Sequence, residues 1–285
     1  MARKKFKQAG LEWRKRDIEQ RLFFPGGRYT RVNNLLSGLL GLLGATIFYA
    51  VVGGTQLAET TFGQVFLERG ETQYLVVFLT CWSLAILGLK FLKLRLQRRS
   101  LDLQLIPDEP GFTVSTVSAE QVLRTIHEQV DDPRYFMLTN RVVMALSNLK
   151  NLGRVGDVDE ILRSQASQDE SAMETSYSLV QGFVWAIPVL GFIGTVLGLS
   201  AAIGGFSSVL KTVDDVTQIS ESLQGVTAGL ATAFDTTLIA LIAALIIQIV
   251  MVVMKKAEEE FLDEALEYGI QKIVGRLRLE TDTKG

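Results

Sequence analysis

The chain has 285 residues, 48% of them hydrophobic, and a formal net charge of −2. Its hydrophobic residues are gathered into a few uncharged blocks instead of being spaced as in the core of a soluble domain, which excludes an ordinary soluble protein. The near-neutral net charge gives no reason to expect a nucleic-acid partner. The single cysteine, Cys81, excludes an intramolecular disulfide.

Residues 1–31 are predicted to form a basic, amphipathic N-terminal segment. Apolar side chains are interleaved with Lys and Arg as far as residue 24. That pattern is typical of a helix that lies on the anionic cytoplasmic leaflet of a membrane. A solvated basic tail is the alternative interpretation.

Four blocks are long enough to cross a bilayer, which needs roughly 20 apolar residues. We predict spans at 32–54, 73–96, 179–210 and 225–254. Lys and Arg are abundant before the first span and after the second and fourth, whereas the short connections 55–72 and 211–224 each carry few basic residues. The positive-inside rule then predicts that these connections are periplasmic and that both termini and segment 97–178 are cytoplasmic.

The long segment 97–178 shows helix signals. Ser118-Ala-Glu-Gln121 has the pattern of a capping box, and Asp132-Pro133 places a cap residue before a proline at a first helical position. A further helix is predicted from about Asp157. Because no helix breaker precedes Pro188, we expect this helix to run unbroken into the third span.

The C-terminal segment 255–285 is predicted to continue the fourth span as a cytoplasmic helix, because an apolar stripe at helical spacing persists through residues 257–279. This helix is expected to pack against the extension of the third span. The predicted fold is therefore an all-α integral membrane protein with four transmembrane helices and a cytoplasmic helical bundle formed by extensions of spans 3 and 4.

The third span carries a ridge of small residues. Gly191, Gly194 and Gly198 recur at spacings of three and four, which allows another helix to approach closely. Pro188 removes a backbone donor near the cytoplasmic end and is expected to kink the helix. Thr195 is the one strongly polar side chain in the middle of this span.

The fourth span presents small and hydroxylated residues on adjacent ridges, among them Thr236 and Thr237. From the rise of a helix, Thr195 lies roughly 20 Å from the cytoplasmic edge, and Thr237 roughly 16 Å from the opposite edge, of a hydrocarbon layer about 30 Å thick. The two hydroxyls are therefore predicted to lie at similar depth, which favours a pore-lining ring. Alternatively, each threonine bonds only to a carbonyl of its own helix.

Asp235 is an ionisable residue inside a predicted span, and such residues are usually functional. At about 100° per residue, it is rotated about 200° from Thr237, so the two cannot both point into one pore. One interpretation is a polar contact with a neighbouring helix or subunit, with the carboxyl neutral and bonded to Thr232. The other interpretation is that Asp235 takes a direct part in the passage of an ion.

Enzymatic activity is not expected. The sequence has no phosphate-binding loop, no nucleophile paired with a base and no metal-ligand spacing, and its one histidine, His127, lies among charged residues. No bound cofactor or metal is predicted.

The span-3 and span-4 patterns together resemble the MotA/TolQ/ExbB proton-channel family. Pro188-x-x-Gly191-x-x-Gly194-Thr195-x-x-Gly198 is similar to the third-span motif of its four-helix members and to the equivalent span of ExbB and TolQ. Ala233-Phe-Asp-Thr-Thr237-Leu-Ile-Ala-Leu241 resembles the last-span motif, whose threonine falls on Thr237. Asp235 occupies a position that is usually apolar in the family.

The resemblance implies a pentamer of this chain around a dimer of a single-span partner similar to MotB, TolR or ExbD. The partner supplies a membrane aspartate that gains and loses protons as ions cross, while Thr195, Thr236 and Thr237 line the passage beside it. The transported ion is expected to be H⁺, or alternatively Na⁺. Ion flow is expected to turn the ring about the dimer in the inner membrane of a bacterium.

Two other function classes remain open on the sequence alone. A passive membrane scaffold would use the small-residue ridges for packing only. A solute transporter would bind its substrate at Asp235, although the chain shows no internal repeat. Within the motor interpretation, the driven process is also open: motility, energising of outer-membrane import, envelope maintenance or phage defence.

Overall fold

The structure, a computed structural model, describes residues 11–68, 70–107, 111–147, 149, 155–209 and 216–278. Four helical stretches are long and apolar enough to cross a membrane: Asn34–Gly54, Thr72–Arg98, Val155–Gly205 and Leu223–Arg276. Within the described residues, the only β-type pairings are two isolated bridges. The predicted all-α fold with four spans is therefore confirmed.

Ten α-helices follow one another along the described chain. They are α1 (Trp13–Arg16), α2 (Ile18–Arg21), α3 (Asn34–Gly54), α4 (Thr61–Leu67), α5 (Thr72–Arg98), α6 (Thr116–Gln129), α7 (Met137–Ser147), α8 (Val155–Ser176), α9 (Ser178–Val209) and α10 (Val216–Lys272). Short 3₁₀ turns lie at Gln56–Glu59, Pro133–Tyr135 and Val274–Arg276.

The chain divides into two compact units. The first, here called the terminal unit, comprises Met1–Asn33, Gly88–Ser176 and Met254–Gly285. The second, here called the span unit, comprises Asn34–Leu87 and Tyr177–Val253.

The core of the terminal unit is formed by α6, α7, α8 and the end of α10. Leu162 of α8 and Ala265 of α10 belong to one buried cluster with Ile126 and Val142. A methyl group placed on Gly269 would lie 3.4 Å from Leu162 Cδ1, so the two helix extensions are in van der Waals contact. The predicted bundle of the extensions of spans 3 and 4 is present, and α6 and α7 complete it.

The N-terminal segment differs from the amphipathic helix predicted for residues 1–24. Residues 1–10 lie outside the described residues, and the following part forms two short helices, α1 and α2, separated by Asp17. Trp13 is fully buried in the terminal unit, with its ring 5.6 Å from that of Tyr135 and 5.2 Å from that of Phe136. For residues 11–24, the prediction of one amphipathic helix on the membrane surface is wrong, because the chain forms two short helices and Trp13 lies in the core of the unit instead of on an exposed apolar face.

Two helix starts also differ in detail. The capping box is at Ser115 and Ser118, which cap α6 reciprocally, one turn earlier than the predicted box at Ser118 and Gln121. Asp132 caps as predicted, accepting from the Arg134 amide, but it opens a 3₁₀ turn, and α7 begins at Met137.

The helix predicted to run unbroken into the third span is interrupted at one residue. Helix α8 ends at Ser176, Tyr177 is a turn residue and α9 begins at Ser178. By contrast, α10 is a single helix of 57 residues. It begins at Val216, inside the segment predicted to be the connection 211–224, while residues 210–215 lie outside the described residues.

In the span unit, α3 packs closely on α5. A methyl group placed on Gly41 would lie 2.6 Å from the Trp82 Cα, so only glycine fits that position. Trp82 Nε1 donates to Ser37 Oγ at 3.1 Å, which satisfies the indole within the apolar contact. The predicted connection 55–72 contains helix α4, whose Phe66 packs on Ala45 and Val77.

The terminal unit buries two lysines with carboxylate partners. Lys90 Nζ lies 3.2 Å from Glu258 Oε2, and both side chains are 1% exposed. Lys93 Nζ lies 2.5 Å from Glu19 Oε2 and 3.9 Å from Asp17 Oδ2. These pairs bring the segment before span 1 and the end of α10 onto the same stretch of α5.

Candidate functional site

The glycine ridge of α9 lies directly against the small residues of α10. A methyl group placed on Gly198 would lie 2.7 Å from the carbonyl oxygen of Gly229, and one placed on Gly191 would lie 2.5 Å from the Cβ of Ala240. Such distances leave no room for a side chain. The predicted close approach is confirmed, and its partner is α10 of the same chain.

Thr195 and Thr237, which were predicted to lie at similar depth, are adjacent in the structure. Their hydroxyls are hydrogen-bonded to each other, which places them at the same depth. The carbonyl oxygen of Gly191 lies 3.1 Å from Thr195 Oγ1 and 3.0 Å from Thr237 Oγ1, within hydrogen-bond distance of both. The Thr195 hydroxyl therefore lies within hydrogen-bond distance of a carbonyl of its own helix and also bonds to a hydroxyl of α10.

Thr236 lies beside this pair and faces α9. It is 1% exposed, and its hydroxyl donates to the carbonyl oxygens of Thr232 at 2.9 Å and Ala233 at 3.1 Å. Thr195 Oγ1 lies 3.3 Å from the same Ala233 oxygen. Thr236 is thus part of the polar contact between α9 and α10 within one chain.

Asp235 points to a different part of the span unit, as its angular separation from Thr237 predicts. It lines a largely apolar cavity of about 560 Å³ with residues of α3, α4 and α5, among them Phe48, Phe66 and Cys81. Thr232 donates its hydroxyl to the carbonyl of Ala228 at 3.0 Å. Thr232 lines another, smaller cavity, so Asp235 and Thr232 face different spaces.

Pro188 lies inside α9, which continues on both sides of it. Its neighbour Ile187 is fully buried. Among the residues that the structure describes, no group of three or more His, Cys, Asp or Glu side chains converges as a metal site.

Sequence reasoning missed Thr72, the first residue of α5. A methyl group placed on Gly194 would lie 2.7 Å from Thr236 Oγ1 and 2.9 Å from Thr72 Oγ1, so the second span contributes a hydroxyl beside the α9–α10 contact. The only signal in the sequence is a polar pair, Thr72-Gln73, at the start of an apolar block. That signal is weak, because polar residues commonly begin a span.

The arrangement combines three properties: closely packed helices, hydroxyls bonded across them and a membrane setting. A model of the MotA/TolQ/ExbB proton channel family matches residues 137–267, a stretch that contains Thr195, Thr236 and Thr237. No curated protein and no solved structure matches the chain significantly. The chain is a multi-pass membrane protein, and its residues 137–267 are similar to the MotA/TolQ/ExbB proton channel family.

Proposed function

We propose that the chain is the ring-forming, ion-conducting subunit of a motor that converts an ion-motive force, carried by protons, into rotation or mechanical work. The observation that carries this proposal is the hydrogen-bonded pair Thr195–Thr237 inside the membrane-spanning part of a channel-family chain. A hydroxyl both donates and accepts, so it can exchange partners with a hydrated proton or coordinate a partly dehydrated cation.

The geometry of the pair supports this use. Both threonine hydroxyls lie within hydrogen-bond distance of the Gly191 carbonyl oxygen and of each other. Because each hydroxyl has one hydrogen, one of them donates to the other, which donates to the carbonyl, and each oxygen keeps at least one free lone pair. The surrounding glycines and alanines have no polar side chain, so their only polar groups here are backbone carbonyls such as those of Gly191 and Ala233. Thr236 lies beside the pair, with its hydroxyl bonded to the Ala233 carbonyl of its own helix and facing Gly194 of α9.

The remaining parts of the proposal come from the family resemblance and the charge pattern. Five copies are expected to surround a dimer of a single-span partner, whose membrane aspartate carries the proton past the threonines. The excess of Lys and Arg before span 1 and after span 2 supports a cytoplasmic terminal unit in a bacterial inner membrane.

Flux through the complex tests the proposal. The chain and its single-span partner are purified together and placed in liposomes, and proton entry is followed with an internal pH-sensitive dye under an imposed membrane potential. Thr195→Val and Thr237→Val keep side-chain volume but remove the hydroxyl, and each is expected to lower flux by about tenfold or more.

Thr46→Val is the matched control, because the Thr46 hydroxyl donates only to Leu42 of its own helix on the exposed side of α3. Unchanged flux in both pore variants would contradict ion conduction at this pair and would favour the passive scaffold. Repeating the measurement with and without sodium, at fixed ionic strength, decides which ion is carried.

A further inference from the structure

The span unit contains a second, smaller cavity, of about 240 Å³, beside the threonine pair. Its lining includes polar residues at the start of α5 and just before it, and glycines and larger, mostly apolar side chains of α9 and α10. Among them are Glu68, Glu71, Thr72, Gly194, Gly198 and Gly229. Glu68 and Glu71 are exposed and lie in the connection 55–72, so the cavity opens at the end of the spans where this connection lies.

The inner end of this cavity is a junction of two hydroxyls at Gly194. Thr72 Oγ1 and Thr236 Oγ1 both lie within 3 Å of the position that a methyl group on Gly194 would occupy. The two oxygens are therefore less than about 6 Å apart, a gap that a single water or hydrated proton spans. Glycine keeps this junction open because it places no atom there.

A shared carbonyl continues the polar path to the threonine pair. The oxygen of Ala233 lies 3.1 Å from Thr236 Oγ1 and 3.3 Å from Thr195 Oγ1, and the Thr195 hydroxyl is bonded to that of Thr237. Hydroxyl and carbonyl groups therefore follow one another from Thr72 to Thr237. Helix packing alone does not require a continuous series of polar groups, because polar groups are costly to bury within apolar spans.

The mouth of the cavity is acidic. The connection 55–72 carries Glu59, Glu68 and Glu71 and one basic residue, Arg69, which lies outside the described residues. An excess of negative charge at a cleft with low-dielectric walls raises the local concentration of cations, and salt weakens this effect.

We propose that this cavity is the outer entry for the conducted cation, which passes from Glu68 and Glu71 through the Thr72–Thr236 junction to Thr195 and Thr237. The inference rests on the proposed function and adds a route to it. The route lies within each chain, beside α5, and the ligand class is a small monovalent cation, hydrated proton or sodium.

Charge removal at the mouth is the first test. In the reconstituted complex, the double variant Glu68→Gln/Glu71→Gln is expected to lower flux about two- to tenfold at ~10 mM salt and to match the unsubstituted protein in high salt. Glu59→Gln is the control, because Glu59 is an exposed acid of the same connection that does not line the cavity.

Equal flux of the double variant and the Glu59→Gln control at low salt would overturn the entry route. Absence of flux in the unsubstituted complex is a different result: it would overturn the proposed function, and the entry route with it. The two failures are therefore distinguishable in one series of measurements.

Closure of the junction is the second test. Gly194→Ala places a methyl group between the hydroxyls of Thr72 and Thr236 and is expected to abolish most of the flux at all salt concentrations. Gly182→Ala is the control on the same helix, since nothing among the described residues lies within 4 Å of its added methyl. Full flux in a folded Gly194→Ala complex would overturn the route, and the thermal midpoint of the complex reports folding.

Discussion

The two units of this chain hold their helices together by different chemistry. The terminal unit buries charged side chains in pairs, such as Lys90 with Glu258, whereas the span unit brings α9 and α10 together through glycines and hydroxyls. Charge pairs tolerate longer separations and are specific in their partners. Glycine contacts bring backbones together and leave space for small polar groups, which suits the passage of a cation that we propose for this region.

This difference predicts where substitutions will be most damaging. Replacing one member of a buried charge pair strands the other charge, while a methyl group added to a glycine contact forces two backbones apart. The four predictions below compare these effects by thermal or denaturant unfolding of the purified complex in detergent.

The largest effect is expected for Lys93→Met. Lys93 is 3% exposed, and its ammonium group faces the buried carboxylates of Glu19 and Asp17. Removing it leaves two uncompensated carboxylates and is expected to destabilise the terminal unit by about 3–5 kcal/mol. Adding Glu19→Gln to Lys93→Met should recover part of the loss, and an absence of recovery would show that the lysine acts only through packing.

Gly198→Ala is expected to cost about 1–3 kcal/mol, because its methyl group would lie 2.7 Å from the Gly229 oxygen and 2.8 Å from the Ala233 nitrogen. Both atoms belong to the backbone and cannot rotate away. Gly182→Ala serves as the control and is expected to have no destabilising effect. An unchanged stability of Gly198→Ala would mean that α9 and α10 separate easily, which would contradict a close glycine contact between them.

Asp17→Asn is expected to stabilise the terminal unit by on the order of 1 kcal/mol at neutral pH. Burial raises the pKa of the Asp17 carboxyl above its ordinary value; the charge of Lys93 opposes this shift, and that of Glu19 adds to it. Because the folded pKa is raised, the carboxyl supports folding in acid and loses that contribution as the pH rises through the folded pKa.

The gain from Asp17→Asn should therefore decline as the pH falls below the folded pKa and vanish below the ordinary value of 3.8, where the carboxyl is protonated in the folded and the unfolded state alike. A pH series of denaturant midpoints for the two proteins measures this. A gain that is constant with pH would contradict an electrostatic origin.

The smallest effect is expected for Arg163→Ala. Arg163 Nε lies 2.9 Å from Asp159 Oδ2, a separation close to those of the buried pairs, but the arginine side chain is 60% exposed. Exposed pairs four residues apart on a helix contribute about 0.3–0.5 kcal/mol. A loss of several kcal/mol here would mean that burial does not distinguish the two classes of pair.

The sequence predicts the span unit better than the terminal unit. Glycine and threonine spacing along α9 and α10 locates the contact and the hydroxyl pair, because both follow from helical periodicity in two adjacent segments. Helical periodicity does not predict the role of Thr72, because its position beside Gly194 depends on a contact between residues 122 apart in the chain. The cavity at the end of the spans is missed for the same reason.

In the terminal unit, the charge composition predicts the wrong environment for several side chains. Residues 11–24 read as a basic surface helix, yet Trp13, Asp17 and Glu19 are among the most buried residues of the unit. Lys90 and Lys93 read as charges that flank a span, although their partners lie on distant segments. Pairing between remote charges leaves no periodic trace in a single sequence.

Cys81 is a native site at which a spectroscopic probe can be attached. It is the single cysteine of the sequence, is half-buried and lines the large apolar cavity that also contains Asp235. A nitroxide attached there requires no removal of native cysteines. Its relative accessibility to oxygen, which dissolves in lipid, and to a water-soluble relaxation agent would reveal whether acyl chains or water surround the Asp235 carboxyl in the working complex.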